Sequence, residues 1–138
     1  MVGKDEVIIY RGVNCTNGVT SKEINVGDDC HLGRIVVPEN GRLSIGNNSS
    51  VGIIWMGRGS CLIGNPHNLK ASYLIVLDGD CAIFLGHGCE INTIESNEPI
   101  QISTGEKYQN TNRKRLDKEY NLPALIDRVV RESLGQSN

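Results

Sequence analysis

The sequence predicts an all-β protein, a single-stranded parallel β-helix of stacked hexapeptide coils with one C-terminal α-helix. Three observations point there: a nine-residue pattern that recurs along the chain, a six-residue pattern interleaved with it, and a composition rich in turn residues but poor in aromatics.

The nine-residue pattern is apolar, any, apolar, Gly, two polar or Gly, Cys or Ser, any, apolar. It occurs from Ile24 to Leu32, from Leu43 to Val51 and from Ile83 to Ile91, with an imperfect copy from Cys61 to Leu69. The starts lie 19, 18 and 22 residues apart, so the last step implies an insertion of about four residues within 66–73. The second register links Val37 to Leu43, Trp55 to Cys61 and Leu77 to Ile83, with Gly41, Gly59 and Cys81 as the small fifth residue. Two interleaved hexapeptides and a period near 18 suit a three-sided coil.

Such coils explain the residue types. Each side is a short parallel strand, so inward apolar residues stack at about 4.8 Å from coil to coil. Corners admit only small inward side chains, hence Cys, Ser or Gly, and Gly and Asn supply the backbone conformations of a tight corner. One repeat alone cannot bury its apolar face, whereas a stack forms a continuous core. With one Trp and one Phe in 138 residues, that core must be built of Val, Ile and Leu.

The ends differ in texture. Val7 to Tyr10 reads as a strand, and residues 1–12 begin or cap the first coil. Residues 1–106 form the β-helix domain, with clear repeats over 24–91, and 107–138 form a linker and an amphipathic helix. Lys107 to Lys118 is polar and reads as a loop or helix start. Asn121 is the N-cap and Pro123 falls in the first turn. Leu122, Leu125, Ile126 and Val129 then make an apolar stripe, and Gly135 stops the helix. This helix is expected to cover an open end or a side of the solenoid.

Charge and cysteine usage narrow the function classes. A net charge of −2 offers no field for nucleic acid, and Arg113-Lys114-Arg115 reads as a solvated face. No run of 18 apolar residues exists, so membrane insertion is not expected and a cytoplasmic location is. Five cysteines without an export signal argue against a disulfide framework, and the absence of a CxxC pair leaves no metal site to assign. His67 falls in the small-residue column of Cys30, Ser49 and Cys89 and reads as a packed or loop histidine; His31 has no partner motif. Trp55 reads as core or subunit contact, and the apolar run Ile53 to Met56 is compatible with a trimer face.

The stretch Ile83, Leu85, Gly86, Cys89, Ile91, Thr93, followed by Ser96, Ile100 and Ser103-Thr104-Gly105-Glu106, resembles left-handed β-helix O-acetyltransferases that act on sugars and polysaccharides. In that family an IGxxCxI coil leads into TSDSH and then TGE. The resemblance covers roughly residues 20–110. It implies a left-handed coil, a homotrimer, acetyl-CoA as co-substrate, a sugar or other small hydroxyl acceptor, and a His general base. Asn97 stands where that His belongs, and an amide cannot take a proton at neutral pH. His87, at a corner of the same coil, is the substitute base, with Glu95 or Glu98 to orient it or act in its place. Against this, His87 also reads as a plain corner residue equivalent to Asp28 and Asn47. The competing function is a non-catalytic β-helix serving as an oligomeric binding or scaffold module.

Overall fold

The computed structural model describes residues 7–10, 14–20, 23–63, 66–77, 81–97, 100, 102–116 and 121–135. Strands alternate between short and long along the chain. The short ones are β1 (Val7–Tyr10), β3 (Glu23–Val26), β5 (Arg42–Ile45), β7 (Cys61–Ile63), β9 (Ala82–Phe84) and β11 (Ile102–Ser103). The long ones are β2 (Asn14–Thr20), β4 (His31–Val37), β6 (Ser50–Met56), β8 (Lys70–Val76), β10 (Glu90–Ser96) and β12 (Gln109–Arg115). Odd strands pair in chain order as one parallel sheet and even strands as a second, so every turn of the chain adds one strand to each. The result is a parallel β-solenoid followed by a single helix, α1 (Leu122–Gly135).

The long strands bend. Leu32 and Ile35 both point inward although three residues apart, because Gly33 and Arg34 take the outside of a corner. Gly52 stacks on Gly33 there, and a Cβ on Gly52 would lie 2.5 Å from the Gly33 carbonyl oxygen. Each coil thus has three flat segments. Their inward residues form columns such as Ile24–Leu43–Leu62–Ile83 and Leu32–Val51–Ala71–Ile91, all buried.

The period differs from the expected 18. Partners Ile24, Leu43, Leu62, Ile83 and Ile102 step by 19, 19, 21 and 19 residues. No four-residue insertion exists within 66–73. From Arg42 to Ser50 is eight residues and from the paired Cys61 to Lys70 nine; from Ser50 to Cys61 is eleven and from Lys70 to Ala82 twelve. Two single-residue additions, one between β7 and β8 and one between the start of β8 and that of β9, replace it. The fourth copy of the repeat therefore starts at Leu62, not Cys61. By the same slip the interleaved register of that coil is Met56, Ser60 and Leu62, in place of Trp55, Gly59 and Cys61. The cause is local: Ile53, Ile54, Trp55 and Met56 are all buried, so alternation in this strand carries no phase.

Residues 109–115, expected as loop or helix start, form β12 and extend the solenoid past Glu106. In β12 the inward columns turn polar: Asn110 pairs with Ile91 and Arg113 with Ile94. Asn121 caps α1 as expected, its Oδ1 accepting the Ala124 N–H at 3.1 Å. The helix lies on the side of the solenoid, where Leu125 and Val129 join Leu116 against Ile53, Trp55, Tyr73 and Ile75 of β6 and β8. The outward-facing residues of Ile53 to Met56 are accordingly covered by the chain's own helix.

Candidate functional site

The corner preceding each of β4, β6, β8, β10 and β12 is a two-residue turn whose second residue is left-handed: Asp29, Asn48, Asn68, Gly88 and Lys107, with φ between 57° and 74°. The first residues of these turns, Asp28, Asn47, His67 and His87, stack as a hydrogen-bonded ladder. Asp28 Oδ1 accepts the Asn47 N–H at 2.7 Å, Asn47 Oδ1 accepts the His67 N–H at 3.0 Å, and His67 Nδ1 accepts the His87 N–H at 3.0 Å. Because His67 Nδ1 is an acceptor, its ring proton belongs on Nε2. The His67 and His87 rings are 6.4 Å apart between centroids.

His87 is therefore in the corner column of Asp28 and Asn47. His67 is in that column too, and not in the one it was expected to share with Cys30, Ser49 and Cys89. The extra residue between β7 and β8 moves it, and Leu69 fills the small-residue column instead.

His87 precedes β10, whereas Glu95 lies near its far end and Asn97 just past it. Glu95 points outward, in register with Ile75 and Lys114, and α1 covers it. It is 2% exposed, and its Oε2 pairs with Arg128 of α1. Its Oε1 has no hydrogen-bond partner among the described residues. Asn97 is buried and lines a cavity of about 260 Å³ with Ile94, Ile100 and Arg113. A general base must reach its proton within about 3 Å. His87, Glu95 and Asn97 do not converge on one point within the chain; Glu98 lies outside the described residues.

Three further features come from the register. His31 Nδ1 lies 2.6 Å from Ser50 Oγ, since these residues pair across β4 and β6. Ser50 also borders an outer groove of about 430 Å³ along the bends of the long strands, with Lys70, Ser72, Glu90 and Asn92. A cavity of about 580 Å³ lies between α1 and the end of β12. Residues 19 or 20 apart become neighbours in this fold, so the His31–Ser50 pair is legible once the coil length is known. The basic run 113–115 is exposed along β12, in keeping with its reading as a solvated face, and Lys114 and Arg115 also border the cavity beside α1.

Burial raises the Cys89 thiol above its ordinary value of 9.0, backbone hydrogen bonds from Leu69, Gly86 and Asn68 opposing it. Burial likewise raises the Tyr108 phenol, with the Arg113 charge opposing. Cys30, Cys61, Cys81 and Cys89 are not in disulfides. Among the described residues no helix is long and apolar enough to cross a membrane. No family model, curated protein or solved structure matches the chain.

Proposed function

We propose that this chain is a non-catalytic β-solenoid acting as an oligomeric binding or scaffold module of the cytoplasm. The observation that carries the reading is the fate of the residues expected to do chemistry. His87 is built into a corner ladder, while Glu95 is committed to Arg128 beneath α1 at the far end of the same strand. Asn97, in the place of the family's His, offers no basic nitrogen. For assembly, the outer face of the short-strand sheet supplies a strip in which Phe84 is 40% exposed, with Ala82 on the same strand and Cys61 and Ile63 on β7, the outward row running on to the charged Arg42 and Glu23. Parallel sheets are normally covered on both faces, and a second copy is the cover this strip suits.

Light scattering should return about three times the 15.1 kDa chain mass, and Phe84→Glu should return the monomer. A monomeric parent protein would overturn the assembly. Incubation with acetyl-CoA and a panel of sugars should release no CoA above the buffer rate; release that disappears in His87→Ala would overturn the non-catalytic reading.

The second reading is an O-acetyltransferase that moves acetyl from acetyl-CoA to a sugar hydroxyl. The partly exposed His87, on the coil that carries the resemblance, favours it. It requires a partner copy to complete the site, and millimolar acetyl-CoA should then raise the melting temperature through mass action. No shift with acetyl-CoA or CoA sinks that reading.

A further inference from the structure

The cavity between β12 and α1 is lined by more cations than carboxylates among the described residues. Lys114 and Arg115 of β12 and Arg128 and Arg131 of α1 line it, around the Glu95 carboxylate. Among the described residues, and counting also Asp127, which pairs with Arg131 at 3.4 Å, there are four cations to two carboxylates. The Arg131–Asp127 pair holds little: both side chains are 72% exposed and water screens them. Asn121 brings the positive end of α1 to the same wall. In a protein with net charge −2 this concentration is local, not a consequence of composition.

The back wall adds a second, independent requirement. Glu95 is 98% buried, Oε2 is engaged by Arg128, and Oε1 has no hydrogen bond among the described residues. A buried carboxylate oxygen without a donor is left with its lost hydration uncompensated. Water could supply the missing donor, as could the hydroxyl or ammonium group of a ligand. Guanidinium groups match phosphate and carboxylate oxygens in a two-pronged geometry. The cavity thus has separate places for an oxyanion, near Arg115 and Arg131, and for a donor, near Glu95.

We propose that this cavity is a binding site for a small phosphorylated or carboxylated polyol. Arg115 and Arg131 take the anion, and a neighbouring hydroxyl donates to Glu95 Oε1. The site lies within one chain, so it is independent of whether the solenoid assembles or transfers acetyl groups.

Isothermal titration of the full chain with three probes tests it: glucose 6-phosphate, sulfate as an anion without a donor at neutral pH, and glucose without an anion. Glucose 6-phosphate should bind at least tenfold more tightly than sulfate, glucose should give no heat at 10 mM, and affinity should fall as salt rises. Arg115→Gln with Arg131→Gln should remove binding at an unchanged melting temperature, because Arg131 is largely exposed and Arg115 is exposed. Absence of glucose 6-phosphate binding, binding that survives the double substitution, or sulfate binding as tight as the phosphorylated sugar would each overturn the proposal. A double variant with a lowered melting temperature is replaced by the single Arg131→Gln, for which at least a fivefold loss is required.

Discussion

At the scale of the residue, the recurring glycine has a different cause from the one its repeat first suggests. Gly46 and Gly105 do not have positive φ; they sit where coils stack too closely for a side chain. A Cβ on Gly46 would lie 2.4 Å from Asp28 Oδ1 and 2.5 Å from the Gly27 carbonyl carbon. The left-handed duty falls two residues later, on Asp29, Asn48, Gly88 and Lys107. Because the obstacle at Gly46 is backbone, it cannot rotate away. Gly46→Ala should destabilise the fold by about 1–3 kcal/mol, measured as a fall in urea midpoint at constant slope; an unchanged midpoint would mean the coils separate freely. Cys89 permits a second prediction. Its thiol donates to the Pro66 carbonyl at 3.0 Å and is held neutral by burial. A raised folded value means full stability below the ordinary value of 9.0 and loss as pH climbs beyond it, since the unfolded chain gives up its proton first. Tyr108 acts in the same direction from about 10.0. The urea midpoint should therefore drop between pH 8.5 and 10.5, and Cys89→Ala should make that drop shallower. A midpoint independent of pH over this interval would contradict the assignment.

At the scale of the element, α1 is a lid on the side of the solenoid, and Trp55 reports on it. Trp55 is 5% exposed, in the cluster that also holds Leu125 and Val129, and it is the chain's one tryptophan. Leu125→Ala should cost about 2–5 kcal/mol if the helix docks as one unit with the sheet, and should shift Trp55 emission to the red. Unshifted emission would mean that the sheet shields Trp55 without the helix. This helix was legible from sequence because each of its signals is local: Asn121 as cap, Pro123 in the first turn, and a stripe at helical spacing. Its docking place was not, since nothing near residue 125 reveals that Trp55 and Ile75 share an outer row. The strands show the same division. Coils with clean alternation, such as 24–32 and 43–51, declare their register, whereas the doubly buried β6 hides a one-residue slip that reverses inside and outside for Cys61 and Trp55. The candidate site suffered most. Residues 87 and 95 are close in sequence, yet a strand holds them apart, while Glu95 and Arg128 meet across 33 positions.

At the scale of the whole molecule, a solenoid must end its core without inviting another copy to continue it. The described C-terminal end solves this within the columns themselves. Leu32, Val51, Ala71 and Ile91 lead to Asn110, and Ile35, Ile54, Leu74 and Ile94 lead to Arg113. Asn110 Nδ2 donates to the Ile91 carbonyl at 2.9 Å, and Arg113 Nε donates to Asn110 Oδ1 at 3.3 Å, so the cap is bonded to the coil beneath it. Strand pairing proceeds regardless, but the side chains offered to the next coil are polar. The run from Gln109 to Arg115, which as sequence looks like the start of a linker, is therefore a strand composed to be last. Replacing Asn110 by Val and Arg113 by Ile should prolong both apolar columns to the exposed end. The variant should form higher-order species that grow with concentration in light scattering, while the parent protein keeps one mass over the same range. If the variant instead keeps the parent's mass, the polar columns are not what terminates the stack, and the charge of Lys114 and Arg115 at the edge must suffice.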